Sequence, residues 1–411
     1  MISYHTCPLA TLGGKDTGGM NVYVRDLARE LGRRGVGVDV FTRSQDEHVP
    51  HVLHDLGYGN RVIHVPSGPE SPVEKDKLAD YLGQFVAGVE SFAQSKGARY
   101  DLIHSHYWLS GLAALDLRAS WGVPVVQMFH TLAAMKNRVA RSPDETASAF
   151  RLDSENRLLR DADCVVAATQ AELAQFQWLY HADTRRVVVI PPGVDTSRFY
   201  PIPSDEAKEF VGVPCDRNML LFVGRVEPLK GIDTLLEAMA LLKQQGALDR
   251  HPMCVAVIGG DPEAGPERIT DEMGRLKTMS ASLDLDDVVT FLGKRDQDTL
   301  QYYYSAAIAV VVPSHYESFG LVALEAMACG RPVVASETGG LAFLVRDNET
   351  GFHVPAGDAQ AMADRLRRLV EDEVLRTRLG HQAADYARNY AWPLIADQIL
   401  SLYGTLLKKH A

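Results

Sequence analysis

The sequence has little positive charge, no long apolar run and no targeting pattern at its N-terminus. Lys and Arg number 42 against 53 Asp and Glu, giving a formal net charge of −11. Nucleic-acid binding needs a positive field, so we expect no nucleic-acid partner. No apolar stretch reaches the roughly 18–20 residues that cross a bilayer. Residues 1–8 also lack a basic region followed by an apolar one, so we expect neither an integral membrane segment nor a signal peptide.

Cysteine is scarce and scattered. The five cysteines form no C-x-x-C pair, which predicts reduced and mostly buried thiols in a cytoplasmic protein. The chain also lacks a repeat period, a G-x-G-x-x-G spacing and any Asp or His cluster with convincing metal-ligand spacing. A repeat array is therefore excluded, dinucleotide binding is not indicated, and we expect no catalytic metal.

The pattern that is present is an alternation of β-branched runs with amphipathic stretches, typical of parallel α/β sheets. The 411 residues suit two domains of about 200 residues each. In the first half, after a short first strand near the N-terminus, strands are predicted at residues 36–41, 62–65, 102–104, 125–129, 164–167 and 187–190. Helices are predicted there at residues 22–34, 75–94 and 148–159.

The alternation restarts after an aperiodic segment that follows Pro191–Gly193. Strands are predicted at residues 220–223, 254–258, 288–291, 309–312, 332–335 and 352–354. Helices are predicted at residues 232–244, 299–306, 321–329, 358–370 and 374–389, with a final helix after Trp392 that could pack on either domain. The fold class is therefore α/β, with two doubly wound Rossmann-like domains whose ligands should lie at the carboxyl ends of the strands.

Glycine and cations follow two of these strands. The cluster from Gly13 to Asn21 contains Gly18 and Gly19 and precedes a helix, so its amides could hold an anion, although a flexible turn is the alternative. Arg225 and Lys230 follow the strand at residues 220–223. Together they could neutralise two phosphates, or they could be a solvated surface pair.

The next candidate segment runs from Glu317 to Glu325, two carboxylates eight residues apart. Free amides at Ser318, Phe319, Gly320 and Leu321 would point at a phosphate, and Glu325 could accept both hydroxyls of a ribose. A helical Glu is usually solvated, but the neighbours of Glu325 are apolar. This carboxylate therefore needs a partner.

Histidines follow strands in the first half. His130 could bond a sugar hydroxyl or a phosphate, whereas His104 and His106 are better explained as packing or polar support. A second anion pocket is predicted where strands end and helices begin, and its candidate residues are Lys75, Tyr107, Thr131 and Arg151.

Taken together, the Arg225/Lys230 pair, the Glu317-x7-Glu325 motif and the Gly18-Gly19 loop resemble those of retaining GT-B glycosyltransferases of family 4 over nearly the whole chain. The resemblance implies two Rossmann-like domains facing across a cleft, with the last helix crossing back to the first domain. The domains would be residues 1–194 plus about 392–411 on the acceptor side, and residues 195–391 on the donor side.

Within that family, Gly18-Gly-Met-Asn-Val-Tyr-Val and His130-Thr-Leu-Ala-Ala most resemble members that act on inositol phosphate. By this resemblance Arg225 and Lys230 hold the diphosphate, Glu317 contacts the donor sugar, and Glu325 binds the ribose. The other implied contacts are Gly18, Gly19 and His130 beside the donor, Lys294 and Arg295 near the base, and Asn21, Lys75, Tyr107, Thr131 and Arg151 on the acceptor phosphate.

The implied function is retaining transfer of N-acetylglucosamine or glucose from a nucleotide-sugar donor, UDP-linked, to a phosphorylated polyol or sugar such as inositol phosphate. The alternatives are transfer to fructose 6-phosphate, as in sucrose-phosphate synthases, and a GT-B sugar-nucleotide epimerase. No tightly bound cofactor is expected. The partners are the small-molecule donor and acceptor, and a homodimer is left open.

Overall fold

A computed structural model describes residues 1–10, 17–140, 142–214, 216–261 and 271–410. Contacts divide the chain into two compact units. The first unit comprises Met1–Ala10, Gly19–Gly193 and Trp392–Ala411. The second comprises Val194–Ala391 and takes in the described residues Thr17 and Gly18. Both ends of the chain therefore belong to the first unit.

The sheet of the first unit consists of two parts that Ile2 joins. Its strands are β1 (Asp39–Arg43), β2 (Val52–Leu53), β3 (Arg61–Val65), β4 (Ile103–His106), β5 (Val125–Met128), β6 (Cys164–Ala167) and β7 (Val187–Val189). The orders are β1-β3-β2, with β2 antiparallel to β3, and β4-β5-β6-β7, parallel throughout. Ile2 pairs in parallel with Phe41 and Ser105. The sheet order therefore reverses at Ile2.

Helices pack on this sheet around a core that includes Phe41, Phe85 and Phe129. They are α1 (Gly19–Arg33), α2 (Leu82–Lys96), α3 (Trp108–Trp121), α4 (Ala133–Val139), α5 (Ala149–Asp161), α6 (Gln170–Tyr180) and the C-terminal helix (Trp392–His410), with 3-10 turns at Lys75–Tyr81, Pro143–Glu145 and Thr184–Arg186. The C-terminal helix contacts α1. Arg34 links to this helix through an ion pair with Asp397 and a hydrogen bond to the Pro393 carbonyl.

The sheet of the second unit is parallel and runs in the order β10-β9-β8-β11-β12-β13. Its strands are β8 (Asn218–Val223), β9 (Met253–Ile258), β10 (Val289–Gly293), β11 (Ala307–Val312), β12 (Val333–Ser336) and β13 (Gly351–Val354). Every residue of β11 is buried, because helices cover both faces of such a sheet. This accounts for a strand made only of Ala, Ile and Val.

The helices of the second unit are α7 (Ser204–Val211), α8 (Ile232–Gln244), α9 (Ala247–Arg250), α10 (Asp271–Ser282), α11 (Gln297–Ala306), α12 (Leu321–Ala328), α13 (Leu341–Leu344), α14 (Ala359–Glu371) and α15 (Glu373–Ala387), with 3-10 turns at Pro228–Lys230 and Arg388–Tyr390. Asp358 and Asp372 cap α14 and α15 through their side chains. Both caps are acidic residues that directly precede the helix they stabilise.

Two predicted elements of the first half are wrong. The helix predicted at residues 75–94 is a 3-10 turn followed by α2. The Tyr4 hydroxyl donates a hydrogen bond to the Leu78 carbonyl, and the Ser67 hydroxyl donates one to the Tyr81 carbonyl. These carbonyls are therefore used in tertiary bonds. The predicted first strand is reduced to the bridge at Ile2, since the chain turns where the Ser3 hydroxyl donates to the Thr6 carbonyl.

Cys7, Cys164, Cys254 and Cys329 are unpaired thiols, as predicted, and Cys215 lies outside the described residues. Burial raises the pKa of Cys164 to about 11, which keeps that thiol protonated at neutral pH. Over the described ranges, no helix combines the length and the apolar character needed to cross a membrane.

Candidate functional site

In the second unit, the sheet order reverses between β8 and β11. These strands are parallel neighbours, and β9 and β12 lie on their outer sides. Loops that follow two parallel neighbours leave the sheet at the same edge, and doubly wound folds bind their ligands at this position. The residues that follow β8 and β11 are therefore the candidate site of the second unit.

A glycine allows these two loops to approach each other closely. Gly231 has a φ of +65°, and a Cβ atom placed there would overlap the carbonyl oxygen of Pro313. The His315 amide donates to the Leu229 carbonyl over 2.9 Å. Only glycine combines this dihedral with this close approach at no steric cost. The loop that carries Lys230 is consequently fixed against the loop that carries Glu317.

Lys230 and Glu317 form a partly buried ion pair. The distance from Lys230 Nζ to Glu317 Oε2 is 2.6 Å, and the side chains are 18% and 19% exposed. Arg225 instead pairs with Glu227 at 2.8 Å, where the side chains are 37% and 34% exposed. Both cations predicted to hold a diphosphate therefore already have a carboxylate beside them.

Glu325 lies in the second turn of α12 and is 7% exposed. The Tyr304 hydroxyl, which belongs to α11, donates to Glu325 Oε2 over 2.6 Å. Burial and the nearby Glu325 raise the pKa of Tyr304 well above its usual value. The prediction that Glu325 needs a partner is confirmed, and the partner is an aromatic hydroxyl.

The start of α12 has no side-chain cap. Gly320 precedes the helix with a φ of 103°, and the Gly340 amide donates to the Glu317 carbonyl over 2.8 Å. An uncapped helix N-terminus presents amides to an anion. Phosphate binding by the amides of residues 318–321 stays a prediction, and the uncapped start of α12 is compatible with it.

Lys294 and Arg295 lie apart from the pair of Lys230 and Glu317. They follow β10, an edge strand that β9 separates from β8. Lys294 is exposed, and Arg295 donates from Nε to the Tyr303 hydroxyl over 2.9 Å. Their backbone therefore lies at the outer edge of the sheet.

In the first unit, the sheet order reverses at Ile2. His5 and Tyr107 follow the two segments that meet there, and the centroids of their rings are 4.4 Å apart. Tyr107 directly follows β4 and has a φ of 78°. A positive φ is uncommon for a bulky residue, and such strain is concentrated at functional sites.

Two cations face the ring of Tyr107. Lys75 Nζ is 4.9 Å from the ring centroid, and Arg151 Cζ is 5.0 Å from it. Arg151 also donates from one terminal nitrogen to Thr131, at 3.0 Å from the carbonyl oxygen and 3.2 Å from Oγ1. The structure thus brings together Lys75, Tyr107, Thr131 and Arg151, which the sequence predicts to form one pocket.

The same unit buries neutral histidines, of which His5 lies near these two cations. His106 Nδ1 and His130 Nε2 are 3.1 Å apart, and His104 Nδ1 is 2.7 Å from the Tyr403 hydroxyl. Burial lowers the pKa of His104 and of His130 to about 3. Burial, and then Lys75, lower the pKa of His5 well below its usual value. At neutral pH these rings offer hydrogen bonds without charge.

Three further predicted residues lie on the loop before α1 and at its start. The buried Asn21 donates to Thr6 Oγ1 over 2.8 Å and to the Cys7 carbonyl over 2.7 Å, so it ties α1 to the turn after Ile2. Gly19 is the exposed first residue of α1, and Gly18 is half-buried. Gly13 and Gly14 of the same cluster lie outside the described residues.

The sequence interpretation misses three residues of these sites. His5 follows a strand end, as His130 does, and that signal could have identified it. Glu155 follows Arg151 by one helical turn, a spacing at which ion pairs form. No local pattern indicates Tyr304, because its contact with Glu325 depends on the packing of α11 beside α12.

Two known families match the two halves of the chain. Residues 18–193 match the glycosyl transferase 4-like domain, and residues 203–386 match the glycosyl transferases group 1 family. The D-inositol 3-phosphate glycosyltransferase of Actinosynnema mirum is 42% identical over 405 residues, which are 98% of this chain and 96% of that protein. The protein of the same name from Corynebacterium efficiens is 39% identical, covering 98% of this chain and 94% of that protein.

A solved structure also resembles the chain over its full length. The sucrose-phosphate synthase of Thermosynechococcus elongatus is 35% identical, with a TM-score of 0.90, covering 99% of this chain and 98% of that one. The predicted fold class and enzyme class are confirmed. On these similarities, the chain belongs to the family 4 GT-B glycosyltransferases.

Proposed function

We propose that the enzyme transfers N-acetylglucosamine or glucose from a UDP-linked donor to inositol phosphate, with retention of configuration, and that it does so in the cytoplasm. The observation that carries the proposal is the convergence of Lys75 and Arg151 on the Tyr107 ring. Two cations on one ring, with the uncharged His5 beside that ring, would suit a dianionic phosphate. Relatives named for D-inositol 3-phosphate that match 98% of the chain support the same acceptor.

In the proposed reaction, the acceptor hydroxyl attacks the anomeric carbon on the face from which the diphosphate departs. The bond between that carbon and the diphosphate oxygen breaks, and the leaving phosphate takes the hydroxyl proton. Arg225 and Lys230 would stabilise the charge that builds on the diphosphate. Glu317 would turn to the sugar, Glu325 would accept the ribose hydroxyls, and His130 would bond the donor sugar as a neutral ring.

A substrate panel tests the acceptor and the donor together. UDP- and GDP-linked sugars are offered with inositol phosphate, fructose 6-phosphate, lipid-linked inositol, or no acceptor. We expect turnover with the UDP-sugar and inositol phosphate, and a product whose anomeric configuration matches the donor. An inverted product would contradict the mechanism, and activity that EDTA abolishes would contradict the proposed independence from metal.

Transfer to fructose 6-phosphate is the second candidate. It is favoured by the likeness to the sucrose-phosphate synthase structure. The two cations at Tyr107 suit the phosphate of either acceptor, so the polyol part decides between them. A higher kcat/KM with fructose 6-phosphate than with inositol phosphate would establish the second candidate. Conversion of the donor sugar with no acceptor present would instead identify an epimerase.

A further inference from the structure

A carboxylate with no exposed side-chain surface contacts Arg151, one of the two cations of the first unit. Glu155 belongs to α5, one turn after Arg151, and its side chain is 0% exposed. A buried charge is costly unless donors surround it. Both oxygens of Glu155 accept hydrogen bonds, which offset the cost of burying this side chain.

Its donors come from separate elements. Arg151 donates from Nε to Oε1 over 2.8 Å, and the Ala133 amide donates to Oε2 over 2.9 Å. The Tyr180 hydroxyl, at the end of α6, also donates to Oε2. Because Ala133 is the first residue of α4, Glu155 fixes α4, α5 and α6 to one point.

These bonds set the direction of the Arg151 guanidinium. Arg151 Nε donates to Glu155, and one terminal nitrogen of Arg151 donates to the Thr131 carbonyl. The ring of Tyr107 lies against the central carbon of the guanidinium. A guanidinium is planar, so contacts with Nε and one terminal nitrogen define its orientation. Glu155 also sets the position of Thr131, since it holds the amide of Ala133, two residues further along the chain.

We propose that Glu155 is a positioning residue for acceptor binding: it orients Arg151 and Thr131 so that both can meet the phosphate of the acceptor. The inference rests on the proposed function, because it assigns Glu155 to the phosphate pocket described there. A residue that only stabilises the fold would affect both substrates alike. A positioning residue affects the acceptor and spares the donor.

The chain provides a matched control in Glu172. It is also buried, at 1% exposure, and it accepts the Ala168 amide over 2.6 Å. Burial raises the pKa of Glu172 to about 7, so near neutral pH it carries a proton part of the time. Glu172→Gln therefore measures the general cost of altering a buried carboxylate in this part of the unit.

The experiment compares Glu155→Gln and Glu172→Gln with the wild type. We expect Glu155→Gln to raise the KM for inositol phosphate about tenfold or more and to leave the KM for the UDP-sugar within about twofold, since a glutamine keeps the shape and removes the charge. Glu172→Gln should leave both constants within about twofold. An unchanged acceptor KM in Glu155→Gln, or an equal rise in both constants, would overturn the inference.

A second variant keeps the test decisive where Glu155→Gln does not fold. Tyr180→Phe removes one donor to Glu155 and leaves the charge in place, so we expect an acceptor KM about threefold higher and an unchanged donor KM. An unchanged acceptor KM would count against the positioning role. If the wild type has the same KM for phosphorylated and non-phosphorylated acceptors, the proposed function is overturned as well. If the wild type prefers the phosphorylated acceptor and Glu155→Gln prefers it to the same degree, only this inference is overturned.

Discussion

The two candidate sites hold their cations in different ways. In the first unit, Lys75 and Arg151 lie against the ring of Tyr107, and Arg151 also pairs through Nε with the buried Glu155 of its own helix. In the second, Lys230 and Arg225 each pair with a carboxylate. A cation–π contact leaves most of the positive charge available to an incoming anion, whereas an ion pair neutralises it. Arg151 can therefore keep Glu155 on its Nε while a terminal nitrogen meets an anion, whereas Lys230 has a single nitrogen and must exchange partners to take one.

This exchange gives the Lys230–Glu317 pair a specific meaning in the proposed reaction. A diphosphate that draws Lys230 away would release the carboxylate of Glu317, which could then accept hydroxyl groups of the sugar. The Arg225–Glu227 pair is about twice as exposed, so it is weaker in water and easier to separate. The difference between the two units can be tested by removing one cation from each.

The largest effect is expected from Lys230→Ala. Loss of a charge that stabilises the leaving group should lower kcat about 10²-fold or more, by analogy with lost oxyanion donors. The measurement is steady-state turnover at saturating donor. Lys243→Ala is the control, because Lys243 also pairs with carboxylates, Asp284 and Asp287, but lies in the last turn of α8. Unchanged turnover in Lys230→Ala would assign Lys230 to the surface.

Arg151→Ala should come next in size, and it should change a different constant. A charge-assisted hydrogen bond contributes about 1.5–3 kcal/mol, so the KM for a phosphorylated acceptor should rise roughly 10- to 100-fold with little change in kcat. Arg157→Ala, on the same helix and half-exposed, is the control. An equal loss with a non-phosphorylated acceptor would argue against a phosphate pocket in the first unit.

The buried histidines predict a pH dependence of stability that belongs to the first unit. The pKa of His104 is about 3 in the folded protein, against 6.5 for a free side chain, so between these values only the unfolded chain holds the proton. Stability is thus lost as pH falls from about 6.5 towards 3, at about 1.4 kcal/mol per pH unit for each such histidine. Glu172 acts in the opposite sense, since its raised pKa stabilises the folded form below about 7.

This dependence is measured by urea unfolding between pH 7 and pH 4.5 for wild type, His104→Asn and His48→Asn. His104→Asn should lower the slope of the unfolding free energy against pH by about 1.4 kcal/mol per pH unit, which corresponds to one proton fewer taken up on unfolding. His48→Asn replaces an exposed histidine of the same unit and should leave the slope unchanged. Equal slopes in wild type and His104→Asn would contradict the assignment of a neutral, buried His104.

A smaller effect than those of the two cations is expected from Tyr304→Phe, which removes a hydroxyl and no charge. Glu325 would lose a donor inside an apolar helix, at a cost of about 1–3 kcal/mol for a buried polar group left unsatisfied. We expect the donor KM to rise about fivefold to tenfold, measured with the UDP-sugar. Tyr302→Phe on the same helix is the control, since Tyr302 stacks on Phe210 instead. A change in acceptor KM alone would contradict the role of Glu325 in donor binding.

Most strands could be predicted from the sequence because their β-branched runs are buried on both faces. The prediction at residues 164–167 matches β6, and that at residues 309–312 lies inside β11. Helix α3 was missed since nearly all of its side chains from Trp108 to Leu117 are buried, so it shows no amphipathic period. Helix α6 is not predicted for a different reason: only some of its side chains are buried, but its apolar residues follow no clear helical period.

The candidate residues could be predicted more readily than their partners. Most of them lie near a strand end or a helix start, which a sequence pattern reveals, and Glu325 stands out as a carboxylate among apolar neighbours. The pairing of Lys230 with Glu317 spans 87 residues and depends on β8 and β11 being neighbours in the sheet. The convergence of Lys75 and Arg151 on Tyr107 likewise depends on tertiary packing of three separate segments.

The C-terminal helix has a consequence for synthesis of the protein. It packs on α1, and its Tyr403 supplies the hydroxyl that lies 2.7 Å from His104. During translation the second unit, Val194–Ala391, emerges whole before these last residues leave the ribosome. The first unit is therefore completed only after the second has been made, and until Trp392–His410 arrives, His104 and one face of α1 lack the helix that covers them.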